Sequence, residues 1–296
     1  MKVLMITGDK KFAPGYPRYD LQASAVETLA VVYWGRGSLW PKIPAGRFDV
    51  VTAQDPFWRG LFAWRVARKL GAKFNAQVHT DLGVQSLVRH ILAQIVLRHA
   101  DSVRVVSEKI KKQVMQINSK ASVHVLPIFV DIAPFAAVLP QSHAHKMVLW
   151  IGRFEPEKDP MLAIDVIRHI PEAKLVMLGN GNLEGSLRAE VERLQLADRV
   201  EFPGWQDPAV FLAQADVVLC TSKHESYGAS MIEALAAGVP VVAPDVGVAR
   251  EAGAIVVPRP ELASAVIEVL QKGIRGELKL PLLSKEEWVT QWKKTL

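Results

Sequence analysis

The chain is predicted to fold as two α/β domains, each a parallel sheet covered by helices on both faces. Three observations predict it. Short β-branched apolar runs recur along the whole chain, helix-period segments separate many of them, and the alternation occurs twice, with about six runs each time. The runs are apolar without strict alternation, as strands buried on both faces of a parallel sheet are.

In the first half the expected strands are residues 2–6, 30–34, 49–53, 73–79, 102–106 and 122–126. In the second half they are 147–151, 173–178, 199–202, 217–220, 240–243 and 254–257. Helical periodicity fills 58–70, 85–98, 108–117, 183–194 and 230–237. Residues 134–146, with Pro134, Pro140, Gln141, Ser142 and two histidines, lack periodicity and read as an interdomain linker. The expected organisation is an N-terminal domain over 1–138, a C-terminal domain over 139–275 and a tail helix within 276–296. Ser284 and Glu287 have capping-box spacing, and Trp288 and Trp292 share one helix face. That stripe is expected to dock on the first domain. Two such domains facing each other would leave a ligand cleft at the carboxyl ends of their strands.

Composition bounds the function. The 296 residues, half of them apolar and 22% charged, fill about two ordinary hydrophobic cores. The single cysteine, Cys220, cannot close an intramolecular disulfide and offers no zinc spacing. The N-terminal apolar run is too short for a signal peptide and reads as the first strand. No stretch reaches the roughly 18 uncharged apolar residues that span a bilayer, so the expected address is the cytoplasm. The net charge of +6 suits phosphate ligands or an anionic lipid surface. Nucleic acid is not expected, because aromatic stacking motifs, zinc fingers and basic repeats are missing from the sequence.

The richest segment is 224–240, between two expected strands. Gly228 would let a phosphate approach the backbone, and the free amides of the following helix would point at it. Glu225 before that helix and Glu233 in its second turn would flank such a ligand, each able to accept from vicinal hydroxyls. The same acids also fit a helix N-terminus favoured by its dipole, and Gly228 and Gly238 fit simple punctuation. A second cluster, 152–160, places Arg153 and Lys158 after the first strand of the second domain. They form a fork and a movable charge suited to a diphosphate, or else a solvated turn pairing with Glu155 and Glu157. His79 ends a strand of the first domain and reads as cleft-facing or structural. The loop 8–15, ending at Gly15, covers a ligand or turns the chain.

Other signals fail. Residues 179–184 have Glu where a dinucleotide fingerprint needs its third glycine, and there is neither a Walker loop nor a Gly-x-Ser-x-Gly elbow. His143 and His145 have no further metal ligands nearby in the sequence. Residues 85–98 are amphipathic and 104–112 basic, which suits an anionic leaflet; the alternative is a surface helix packed on its sheet.

The segment Glu225 to Glu233, continued by Ala-Ala-Gly-Val-Pro-Val-Val-Ala, resembles the Glu-x7-Glu signature of family 4 glycosyltransferases. Gly152-Arg153 with Lys158 is similar to that family's diphosphate pair, and Leu178-Gly179-Asn180-Gly181, Phe202-Pro203-Gly204-Trp205 and Ala215-Asp216-Val217 stand in the family's order. The resemblance is strong from Met147 to about Val257 and looser in the first domain. It implies a GT-B fold of two Rossmann-like domains and retaining transfer of a hexose-type sugar from a nucleotide-diphosphate donor, without an essential metal or other cofactor. By matched position Arg153 and Lys158 would hold the diphosphate with the amides around Gly228 and Ala229. Ser226, Tyr227 and Ser230 would line the same loop, Gly152 would admit the phosphates, and Glu233 would bind the ribose. Glu225 would hold the transferred sugar, Gly204, Trp205 and Gln206 would lie near the base, and His79 would reach the donor sugar. The first loop offers only Gly15 where many relatives have a glycine pair. The acceptor expected is a glycan or a lipid-linked molecule, with peripheral contact at the inner membrane face. The competing readings are a GT-B sugar-nucleotide epimerase, a phosphorylase, for which no cofactor lysine is found, and a sugar-nucleotide-binding protein without transfer.

Overall fold

The structure, a computed structural model, describes residues 1–35, 41–118, 122–141 and 145–296. Ser142 and His143 of the expected linker lie outside the described residues. The described residues form two units, Met1–Phe129 with Leu282–Leu296, and Val130–Pro281.

The first unit holds six parallel strands: β1 (Lys2–Thr7), β2 (Thr28–Tyr33), β3 (Val50–Ala53), β4 (Lys73–Val78), β5 (Ser102–Val105) and β6 (Ser122–Val125), ordered β2-β1-β3-β4-β5-β6. The second holds β7 (Lys146–Ile151), β8 (Ala173–Leu178), β9 (Val200–Gly204), β10 (Val217–Leu219), β11 (Val241–Ala243) and β12 (Ile255–Val256), ordered β12-β11-β10-β7-β8-β9 and again parallel. All twelve expected runs are strands, shifted by two residues at most. Burial explains why they lacked alternation: β3, β5, β10 and β11 are buried at every position.

Helices cover these sheets. Trp58–Leu70 and Glu108–Ile117 form as expected, 85–98 begins at Leu87, and 230–237 forms as Ala229–Ala236. Helices at Pro17–Ala23, Pro160–Arg168 and Pro208–Leu212 were not expected. Each starts on a proline, which pre-sets the first helical turn but reads as loop punctuation in a sequence. Leu262–Lys272 was also missed, although Leu262, Ala265, Val266, Val269 and Leu270 are buried at helical spacing. Residues 134–136 of the expected linker belong to a short helix, Ala133–Ala136.

The final helix, Lys285–Lys294, packs on the first unit. Ser284 and Glu287 close the capping box. Trp288 and Trp292 stack with ring centroids 6.5 Å apart and are buried with Val3, Met5, Phe12 and Leu126. The Trp288 indole donates to Pro127 O at 2.8 Å. Arg104, counted above with a basic run, is instead buried in β5. It donates to Leu126 O, Pro127 O and Gln77 Oε1, and burial followed by the charge of Arg18 pushes it down to about 9. A strand residue on a covered face cannot contribute surface charge.

Candidate active site

In a doubly wound sheet, ligands bind at the carboxyl ends of the strands where the order reverses. In the second unit the reversal lies between β7 and β10, which pair through Val217 with Val148 and Val218 with Leu149. The loops leaving these two strands are 152–159 and 220–228, the two clusters marked in the sequence.

Both loops are pinned from below. Gly152 N donates to Leu178 O and Phe154 N to Asn180 O, which seats the first loop on the loop after β8. A Cβ on Gly179 would lie 1.8 Å from Gly152 O, so only glycine permits this approach. Residues 179–181, which fail as a dinucleotide fingerprint, thus serve as a backbone seat. Thr221 ties the two switch-point loops together. Its hydroxyl reaches Lys158 O and Asp159 O, each at 2.9 Å, and lies 2.8 Å from the donating Trp150 indole. Asp159 has a left-handed backbone (φ 48), unusual for a residue with a Cβ, and its carboxylate pairs with Arg259 and Lys223. Arg259 also donates to Thr221 O.

This scaffold brings Lys158 and Glu225 together. Lys158 Nζ pairs with Glu225 Oε1, which also accepts from Ser222 Oγ at 2.8 Å. Both groups are partly buried, so the attraction between them is screened less than at an open surface. Behind them, burial first and the charge of Glu225 second push the Cys220 thiol up, keeping it protonated and unreactive.

The chain then turns at Gly228, whose φ of 100 suits glycine, into the helix Ala229–Ala236. The first amides of that helix have no intrahelical acceptor and sum with its dipole into an anion-favouring tip. Tyr227 is buried, burial pushes its phenol up to about 12, and its backbone carbonyl accepts from Val248 N at 2.9 Å. Ser226, Ala229 and Ser230 are partly exposed around the turn. Glu233 is partly buried, and its carboxylate forms no hydrogen bond or ion pair among the described residues. Burial pushes its carboxyl above the usual range.

The other candidates make contacts of their own. Arg153 pairs with Glu157 at 2.8 Å at the surface, the solvated arrangement held open above, while Glu155 accepts from Asn182. Gly204 ends β9 with φ 78, Trp205 is 60% exposed, and Gln206 donates to Pro203 O. In the first unit Gly15 adopts φ 88, and its amide donates to Asp20. His79 follows β4, with Nε2 3.2 Å from Gln77 Oε1. Arg104, which can only donate, bonds the same oxygen, so His79 Nε2 must donate too and Nδ1 carries the lone pair. Burial, then the charges of Arg104 and Arg18, hold this imidazole well below its ordinary value and therefore neutral.

The chain is similar to known glycosyltransferases. A family model described as "Glycosyl transferases group 1" matches residues 131–273, and one described as "Glycosyltransferase Family 4" matches 12–133. The chain belongs to the family 4 glycosyltransferases. It is 30% identical over 150 residues to the lipopolysaccharide core biosynthesis glycosyltransferase LpsE of Rhizobium meliloti, covering 49% of this chain and 44% of LpsE. It is 24% identical over 228 residues to the alpha-monoglucosyldiacylglycerol synthase of Streptococcus pneumoniae, covering 67% of this chain and 52% of that protein. The chain thus spans about half the length of these curated relatives. Among solved structures, Anabaena HepE in complex with UDP and glucose superposes with a TM-score of 0.75 at 16% identity, covering 99% of this chain and 95% of HepE. That likeness establishes the GT-B fold.

Three contributors to the site were not anticipated: Ser222, Thr221 and Arg259. Ser222 and Thr221 sit beside the Glu-x7-Glu segment, so their position was the available signal. Arg259 lies 100 residues from Asp159, and nothing local in the sequence pairs them.

Proposed function

We propose that the protein is a retaining glycosyltransferase that binds a nucleotide-diphosphate sugar over the Lys158–Glu225 pair and the Gly228 helix tip. The observation that carries this reading is the convergence of Lys158, Glu225 and the start of the helix Ala229–Ala236 on loops leaving the switch-point strands. In the structure Lys158 and Glu225 neutralise each other. An arriving diphosphate competes for Lys158, which frees the Glu225 carboxylate for hydroxyls of the transferred sugar. Arg153, on an exposed and flexible arm, swings from Glu157 to the phosphates. Glu233 accepts from the ribose hydroxyls, and Trp205 lies near the base.

The mechanism follows from where charge develops. As the glycosidic bond breaks, negative charge grows on the diphosphate and positive charge on the anomeric carbon. Lys158, Arg153 and the helix amides bind the leaving group more tightly in that state than in the ground state. The acceptor hydroxyl attacks from the face the diphosphate leaves, and a phosphate oxygen takes its proton, so configuration is retained without a protein nucleophile.

HepE was solved with UDP and glucose, which supports a uridine diphosphate donor here. Two relatives are named for lipopolysaccharide core biosynthesis and for synthesis of alpha-monoglucosyldiacylglycerol, which supports a lipid-linked acceptor. The test is a panel of UDP-, GDP- and ADP-hexoses, with the product anomer read by proton NMR. The expected result is turnover of a UDP-hexose with retained configuration. An inverted anomer rejects the mechanism, an epimerised nucleotide sugar makes the protein an epimerase, and binding without turnover makes it a sensor.

A further inference from the structure

The helix Leu87–Arg98 is apolar on two sides. Leu92, Ala93, Val96 and Leu97 pack into the first unit's core, as a surface helix should. Yet Leu87 (75% exposed), Val88 (58%), Ile91 (47%) and Ile95 (37%) form a second stripe facing outward. Isolated exposed apolar residues are ordinary, but a contiguous stripe marks a surface that something covers. The neighbouring helix Trp58–Leu70 packs alongside and adds Trp58, 59% exposed. Where the starts of the two helices meet, a cavity of about 420 Å³ opens, floored by Trp34, Phe57 and Phe62 and edged by Arg65 and Arg89.

Charge says what covers it. These two helices carry Arg59, Arg65, Arg68, Lys69, Arg89 and Arg98, and neither contains an aspartate or glutamate. Arg59 pairs with Asp55, whereas Arg65, Arg68, Lys69 and Arg98 make no ion pair among the described residues. A second copy of the chain would bring the same cations against themselves. We propose that this face docks the protein on an anionic lipid leaflet. The stripe Leu87, Val88, Ile91 and Ile95 enters the acyl boundary, and the fringe of Arg65, Arg68, Lys69, Arg89 and Arg98 holds lipid phosphates. The charge comes from these two helices rather than from the buried Arg104. Docking requires nothing of the transfer reaction and is read independently of it.

The test is co-sedimentation of the full chain with vesicles of equal parts phosphatidylglycerol and phosphatidylcholine, against vesicles of phosphatidylcholine alone. Binding is expected only to the anionic vesicles, weakening as salt rises. The variant Leu87→Ser, Val88→Ser, Ile91→Ser, Ile95→Ser changes only exposed side chains, and its binding should weaken by at least about tenfold. Arg65→Glu with Arg89→Glu should weaken it by a similar factor or more. Equal binding to both vesicle types, or full binding by both variants, overturns the proposal. Self-association that the serine variant abolishes overturns it in favour of a second copy.

Discussion

Lys158 carries the largest share of the proposed chemistry, because it neutralises charge that grows as the leaving group departs. Lys158→Ala is expected to reduce turnover by about 10²–10³-fold while the circular dichroism spectrum stays native. Near-normal turnover would remove Lys158 from the reaction. Glu233 makes a pH-dependent prediction. Burial raises its carboxyl, so it takes up a proton at a higher pH than an ordinary glutamate. A protonated carboxyl accepts less well from ribose hydroxyls. Affinity for UDP should therefore fall as pH drops toward that raised value, and Glu233→Gln should bind weakly at all pH values with a flatter profile. Calorimetric titrations across pH check both. At this scale the sequence was legible where spacing reports geometry, as for Glu225 and Glu233 on either side of one glycine. It was silent where a partner comes from a distant loop, as Arg259 comes to Asp159, and it left two arrangements open for Arg153, which pairs with Glu157.

Elements set the precision of the site. The loop after β7 rests on the loop after β8 only because Gly179 has no side chain: an added methyl would lie 1.8 Å from Gly152 O. Gly179→Ala should destabilise the second unit by about 2–3 kcal/mol, the usual cost of forcing atoms into a packed site, and should weaken UDP binding by displacing residues 152–158. Urea denaturation checks the first effect, and an unchanged midpoint would show that the seat is not needed. The helix Lys285–Lys294 was read from its capping box and tryptophan spacing alone, and its dock follows from burial: Trp292 is fully buried beside Met5 and Leu126. Trp292→Ala should cost about 3–5 kcal/mol, and Ser284→Ala about 1 kcal/mol through loss of the cap. Equal costs from the two would contradict this division between packing and capping. The strands were legible because both faces are buried, leaving unbroken apolar runs. Helices opening on Pro17, Pro160 and Pro208 were not, because proline signals a turn and a first helical turn alike.

For the molecule as a whole, the strand order of the second sheet reverses between β7 and β10, and this places loops nearly seventy residues apart in sequence beside one another. That topology is invisible in any single segment, although the repeat of strand and helix made the fold class readable. The central claim is that this switch point holds a nucleoside diphosphate through Lys158 and the tip of the helix Ala229–Ala236. Calorimetric titration of UDP into the native chain and into Lys158→Ala tests it most directly. Saturable binding by the native chain, weakened by at least about tenfold in the variant, is the predicted result. Equal affinities in the two proteins, or no binding by the native chain, would contradict it.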